Sequence, residues 1–225
     1  MVFRRATAQE SAPAPDELTA RMVGIGMLFA ATSQVDADIE STLVHASAAG
    51  MIAGDLRVLA VLTTWLGVHH THVNADRLVR LVLAHPAENV RAYWSAVATW
   101  QVKDRRFARL IKAYVGRPVE LLPTGTEFQI KRRGEDVRFV GSKLRVPTGI
   151  LRDRAQDVLA PAVLVQRHAG FRNRVLMGPS FRADVWTAIE HEPKQSIAAL
   201  ARKASCSFAT AWQTVQDYRL LHPGR

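Results

Sequence analysis

The chain has 225 residues, of which 48% are apolar and 22% are charged. This composition excludes a wholly disordered protein and predicts one or two globular domains. The single cysteine, Cys206, excludes an intramolecular disulfide and a thiolate zinc cage. No run of 18 apolar residues occurs, so no membrane partner is expected. These features, and the lack of a secretory signal pattern, predict a cytoplasmic protein.

Positive charge is concentrated in the second half of the chain. The formal net charge is +10. Residues 1–100 hold 7 Lys/Arg and 9 Asp/Glu, a net charge of −2, whereas residues 101–225 hold 23 and 11, a net charge of +12. An anionic partner is therefore expected to bind the C-terminal half.

Helical signals dominate residues 17–115, after a polar leader over residues 1–16 that is expected to be disordered. Apolar residues recur there at helical spacing, as in Leu59, Leu62 and Leu66. We therefore predict an α-helical bundle of five or six helices for this domain. The residues predicted to cap its helices are Asp16, which would open a helix reaching about residue 32, Asp36, Asp55 and Asn74.

A short basic β-element is predicted for residues 116–150. Residues 128–131 and 137–140 flank the turn-like sequence RRGED, which favours a β-hairpin, and residues 144–146 would add a third strand. Arg132 and Arg133 would lie at the tip of this hairpin, where they could contact DNA. The predicted fold class is thus mainly α, with a minor β-element between two helical domains.

The last domain, residues 151–225, ends in three predicted helices. The first covers about residues 182–191, the second is capped by Ser196 and ends near Ala204, and the third is capped by Ser207. Two helices joined by a short turn, with the small Ala201 where they cross, form a helix-turn-helix arrangement.

A family resemblance covers Ser196–Leu221. The sequence has Leu200-Ala201, the small turn Ser205-Cys206, the cap Ser207 and the final Leu220-Leu221. In this pattern it resembles the helix-turn-helix core of bacterial winged-helix DNA-binding proteins. The family has a hairpin wing after the third helix, but only four residues follow Leu221 here. Either the domain has no wing, or the predicted upstream hairpin around Arg132 serves as one.

The resemblance implies a sequence-specific transcriptional regulator that binds double-stranded DNA, often as a homodimer on a palindromic site. Gln213 would read adenine with two hydrogen bonds. The residues implied to face the groove are Ser207, Phe208, Ala209, Trp212, Gln213 and Gln216. Those implied to contact phosphates are Arg202, Lys203 and Arg219.

Other functions remain open at this stage. The helix-turn-helix could serve protein packing only, as in an antitoxin-like autorepressor whose residues 17–115 bind a protein partner. RNA or another anion could also replace DNA. An enzyme is the alternative from a different class: Arg80, followed after four residues by His85, resembles the active-site motif of small all-α ribonucleases from toxin modules. In that motif arginine and histidine bind phosphate and move a proton.

Weaker patterns concern metals. His69 and His72, with Asp76 nearby, could share a metal ion, although histidines at the end of a helix also interact well with its dipole. Asp36 and Asp38 faintly resemble the magnesium-binding pair of nucleotidyltransferases. No Cys or Glu at ligand spacing supports the histidine pattern, and Asp36 is predicted to cap a helix, so no cofactor is expected.

Overall fold

The computed structural model describes residues 12–223. Within these residues the first half of the chain is helical, with 3₁₀ turns at His70–His72 and Arg105–Phe107. Its helices are α1 (Pro15–Gly24), α2 (Ile39–Met51), α3 (Leu56–His69), α4 (Ala75–Ala84), α5 (Glu88–Trp100) and α6 (Ala108–Ile111).

The second half contains two short strands and six further helices. They are β1 (Val119–Glu120), α7 (Thr126–Arg133), β2 (Leu144–Arg145), α8 (Pro161–Arg167), α9 (Ala169–Met177), α10 (Phe181–His191), α11 (Ile197–Lys203) and α12 (Phe208–Leu221). The prediction of a mainly α protein is confirmed. None of the helices in residues 12–223 is long and apolar enough to cross a bilayer.

Four of the predicted helix caps form as expected. The side chains of Asp55, Asn74, Ser196 and Ser207 each accept a hydrogen bond from the backbone amide three residues further on. Each thereby satisfies an amide that has no carbonyl partner inside its helix.

The first predicted helix is shorter than expected. It begins at Pro15, and Asp16 lies in its first turn rather than capping it. Proline suits this position because the first helical residues need no amide donor. The helix ends at Gly24, where a Cβ atom would collide with the Gln34 carbonyl oxygen. Of the predicted disordered leader, residues 1–11 lie outside the described part of the chain.

Asp38, not Asp36, caps α2. The Asp38 carboxylate accepts a 2.8 Å hydrogen bond from the amide of Ser41. Asp36 instead has a positive φ of 51°, and its carboxylate accepts a 2.6 Å hydrogen bond from the amide of Ala169 at the start of α9. The apolar residues Ile39, Leu43 and Ala46 of α2 are buried.

The predicted β-hairpin is wrong, because residues 126–133 form α7. Apolar alternation over four residues fits a helix as well as a strand, and Glu127 pairs with Lys131 one turn later at 3.7 Å. Gly134, with a φ of 81°, ends the helix. Arg132 and Arg133 thus lie in the last turn of α7. The strands β1 and β2 pair in parallel, with Val119 opposite Leu144.

Two separate hydrophobic cores form. The larger contains fully buried Trp65 and Trp94 and draws on α1–α6. It also takes in residues from the predicted β-element and from the start of the predicted C-terminal domain, among them Phe139, Leu144, Leu151, Leu164 and Phe171. The smaller core is formed by α10, α11, α12 and the turn between the last two, with Met177 of α9 packed against it, and it is built around Val185, Trp186, Ile189, Leu200, Ala211, Val215 and Tyr218.

A buried ionic cluster joins the two cores. Arg174 of α9 donates to both carboxylate oxygens of Glu40 in α2 at 2.7 and 2.8 Å and to Asp184 of α10 at 2.7 Å. Asn74 completes the cluster, since its backbone amide donates to Glu40 at 2.8 Å and its side-chain amide to Asp184 at 2.9 Å.

The cluster holds its guanidinium group in the charged form. Burial by itself lowers the pKa of Arg174, but the attraction of Asp184 and Glu40 outweighs it, so this pKa lies above its ordinary value. Glu40 is fully buried, and a carboxylate in such a place needs partners for both oxygens. The cluster therefore fixes α10, and with it α11 and α12, against the larger helical body.

Candidate nucleic-acid interface

The turn between α11 and α12 is tight and anchored at both ends. Ser205 has a positive φ of 53°, and the amide of Cys206 donates to the carbonyl of Ala201 at 2.9 Å. From outside, Arg80 of α4 donates to the Ser205 carbonyl at 2.8 Å and lies 4.6 Å from the centre of the Phe181 ring. The direction of α12 is therefore set by the larger body as well as by the smaller core.

Small side chains allow the close contact of α11 with α12. Ala201 is 2% exposed and Cys206 is 8% exposed. Burial raises the pKa of the Cys206 thiol, so the sulfur stays protonated and is a poor nucleophile. Its surroundings therefore make this cysteine a packing residue.

One face of α12 packs and the opposite face is open. Ala211, Thr214, Val215 and Tyr218 are buried against α10 and α11. Phe208 is 51% exposed and Trp212 is 46% exposed. Of the other residues implied to face a groove, Ser207, Ala209 and Gln213 are exposed and Gln216 is half-buried. Helix α12 thus presents a continuous outward face that the rest of the described chain leaves uncovered.

Two of these residues already have hydrogen-bond partners. The Ser207 hydroxyl accepts from the amide of Thr210 at 3.1 Å as a helix cap. The side-chain amide of Gln213 donates to Asp217 at 3.1 Å, and Asp217 also pairs with Arg182 of α10 at 3.3 Å. The Gln213 side chain is therefore held outward, with its carbonyl oxygen still able to accept a hydrogen bond.

The cations near α12 are few. Arg202 and Arg219 are exposed, and neither has a partner within residues 12–223. Lys203 pairs with Glu192 at 2.6 Å, and this hydrogen bond lowers the pKa of the Glu192 carboxyl. Residues 181–225 hold 6 Lys/Arg and 4 Asp/Glu, a net charge of +2. Within residues 12–223, α10, α11 and α12 thus carry two exposed arginines without a partner, Arg202 and Arg219.

Arg80 and His85, the pair that resembles a ribonuclease motif, both form hydrogen bonds to the protein backbone. Arg80 contacts the turn before α12, as described above. The Nδ1 atom of His85 accepts a 3.2 Å hydrogen bond from the amide of Ala87, and burial lowers the pKa of His85. Both groups therefore have structural partners, which gives them packing roles that the sequence pattern did not indicate.

His69 and His72 lie against one aromatic ring. The Phe171 ring centre is 5.4 Å from that of His69 and 4.8 Å from that of His72. The Nε2 atom of His69 is 2.9 Å from the Leu159 carbonyl. Within residues 12–223 no three His, Cys, Asp or Glu side chains are grouped to hold a metal ion. Asp36 and Asp38 are likewise engaged, with Asp36 3.0 Å from His191 and Asp38 paired with Arg77.

Burial of His69 predicts that acid destabilises the fold. Desolvation lowers the pKa of His69 from 6.5 to about 4, so the folded state favours the neutral ring. The contribution of His69 to stability is then complete above pH 6.5 and is lost as the pH drops towards 4, by up to about 3 kcal/mol at roughly 1.4 kcal/mol per pKa unit. Urea unfolding between pH 4 and 7.5 measures this loss. H69Q should flatten the profile and H70Q should not; equal profiles for the wild type and H69Q would contradict the prediction.

The buried cluster around Arg174 escaped the sequence analysis. Glu40 and Arg174 are 134 residues apart in sequence, and no local pattern marks either as buried. The only available signal was a charged residue at an inward position of a helix, Glu40 beside the core residues Ile39 and Leu43.

Comparison of the chain with models of protein families gives no match, and neither the curated proteins nor the solved structures provide one. The functional proposal therefore depends on the residues and geometry described above.

Proposed function

We propose that this protein is a sequence-specific DNA-binding regulator of transcription, with α12 as the helix that enters the major groove. The observation that carries the proposal is the open face of α12, directed outward by a tight turn and a buried anchoring cluster. A helix of this length with one free face has the shape that a major groove about 12 Å wide accepts. Two copies on a palindromic site would be the expected arrangement.

The side chains on this face have the chemistry that base recognition uses. The Gln213 amide can pair with the edge of adenine if its bond to Asp217 is exchanged. Phe208 and Ala209 offer apolar contacts for thymine methyl groups. Arg202 and Arg219, both without carboxylate partners in residues 12–223, are suited to the flanking phosphates.

Truncating Gln213 is expected to reduce discrimination. Q213A should lower the preference for the gene's own upstream DNA over a shuffled duplex by roughly 1–3 kcal/mol, because one base contact is lost. R202A should instead weaken binding to both duplexes, because phosphates carry no sequence information. Fluorescence anisotropy with both duplexes at fixed salt measures the two effects.

The matched control is Q166A, which removes an exposed glutamine from α8 and should bind like the wild type. If Q213A and Q166A discriminate equally well, Gln213 does not read a base. If the wild type binds the upstream and shuffled duplexes with equal affinity, the proposal of sequence-specific regulation fails.

A second candidate, a protein-docking face, is favoured by the apolar surface of α12. Besides Phe208 and Trp212, Leu220 is 80% exposed and Leu221 is 67% exposed. Such a surface suits a second copy of the chain or a protein partner, as in the antitoxin-like alternative. Sedimentation of the wild type and of a double variant, F208A/W212A, separates the candidates: loss of a dimer without loss of DNA binding would assign this face to protein contacts.

A further inference from the structure

Most of the positive charge lies outside the three C-terminal helices. Residues 101–145 hold 12 Lys/Arg and 5 Asp/Glu, a net charge of +7, compared with +2 for residues 181–225. Residues 103–117, called here the basic segment, hold six Lys/Arg and one Asp/Glu. That carboxylate, Asp104, is bound by Arg106 at 2.9 Å and 2.5 Å. The excess of cations in this segment is therefore not neutralised locally.

Four cations of the basic segment point into solvent. Within residues 12–223, no hydrogen bond or ion pair involves the exposed side chains of Lys103, Arg105, Lys112 and Arg117. Arg109 has only a surface pair with Asp76 at 3.1 Å, with both side chains more than half exposed. Such a pair contributes little to stability and exchanges readily for another anion.

The spacing of these cations forms a row. Arg105, Arg109 and Lys112 follow one another at three- and four-residue intervals along the helical segment 105–111 and its C-terminal cap. With three to four residues per turn, these intervals place the three cations about one turn apart along the 3₁₀ turn Arg105–Phe107, α6 and its cap. A row of positive charge of this kind fits the regularly spaced phosphates of a nucleic-acid strand.

Helix α4 connects the basic segment to the turn before α12. Asp76 of α4 binds Arg109, and Arg80 of α4 binds the Ser205 carbonyl. Asp76 and Arg80 are one helical turn apart, a rise of about 5–6 Å. The basic segment and the start of α12 therefore meet the same exposed edge of α4 on adjacent turns.

From this arrangement we infer that the basic segment is a second phosphate-binding surface, which contacts the backbone of the duplex whose groove receives α12. The inference builds on the proposed DNA binding. It accounts for +5 of the +12 charge of the second half of the chain, to which residues 181–225 contribute only +2. The surface would increase affinity and leave base preference to α12, because phosphate contacts position a protein without reading sequence.

The test compares the salt dependence of DNA binding in two double variants of equal charge. R105A/K112A removes two cations of the row, and R152A/R167A removes two exposed arginines from the loop before α8 and from the end of α8. Anisotropy with a 30-base-pair shuffled duplex and with the upstream duplex, between 50 and 200 mM salt, gives the slope of log K against log salt. Thermal unfolding checks that each variant is folded.

We expect R105A/K112A to reduce the slope by about 2, at roughly 0.9 per phosphate contact, and R152A/R167A to leave it unchanged. The preference for the upstream duplex should be the same in both variants. An unchanged slope in R105A/K112A, with binding still weakened by R202A, would overturn this inference and leave the proposed function intact. Equal losses in both double variants would overturn it in favour of a general charge effect. No binding of either duplex by the wild type would refute the proposed function itself.

Discussion

Replacing Arg174 with alanine is expected to reduce the free energy of unfolding by about 3–5 kcal/mol. The substitution leaves Glu40 fully buried without the guanidinium that binds both its oxygens, and it removes the direct link to Asp184 of α10. A buried carboxylate that has lost its bidentate cation must either stay charged in a poorly solvated site or take up a proton, and both reduce stability. Urea denaturation of R174A at pH 7 measures the loss.

Arg172 provides the matched control because it lies on the same helix. Its side chain is 49% exposed and pairs with Glu190 at 3.5 Å. R172A should therefore change the stability by less than about 1 kcal/mol. A second variant, E40Q/R174M, replaces the pair with groups of similar size and should recover part of the loss, since position 40 then carries no buried charge and Asp184 keeps its hydrogen bond from Asn74. Equal losses in R174A and R172A would show that the cluster does not hold α10 in place.

Local elements could be predicted from the sequence because their signals are local. Asp55, Asn74, Ser196 and Ser207 cap helices as expected, since a cap depends on a side chain and an amide three residues away. The hairpin prediction failed for a related reason. The four-residue runs on either side of Gly134 are too short for their apolar period to distinguish a strand from a helix.

Contacts between distant segments could not be predicted. Asp36 looked like a helix cap, but it binds the amide of Ala169, 133 residues away. Arg80 donates a hydrogen bond to the carbonyl of Ser205, 125 residues away, a contact that its spacing to His85 did not indicate. The sequence around Asp36 and around Arg80 does not indicate either of these distant partners. For the same reason the sequence could suggest an outward face for α12 but not the anchoring that directs it.

The second large effect is expected from W186A, which should unfold α10–α12 and leave the larger body folded. Trp186 is 8% exposed, and its ring centre lies 4.9 Å from that of Tyr218. Truncating a buried tryptophan typically reduces stability by about 3–5 kcal/mol. A core formed by three short helices contributes little more stabilisation than this, so the truncation should be enough to unfold them. The larger core, around Trp65 and Trp94, does not include Trp186 and should keep its packing.

Hydrogen exchange read by mass spectrometry can resolve the two cores in one experiment. W186A should lose amide protection across α10–α12 and keep it in α2, α3 and α5. The matched control is W212A, which truncates a tryptophan that is 46% exposed on the outer face of α12. W212A should keep amide protection throughout the described chain and change the free energy of unfolding by less than about 1 kcal/mol. Any DNA-binding defect in W212A would then come from the loss of this side chain on the outer face of α12, not from unfolding. If W186A instead lost protection throughout the chain, the ionic cluster around Arg174 would couple the two cores into one cooperative unit.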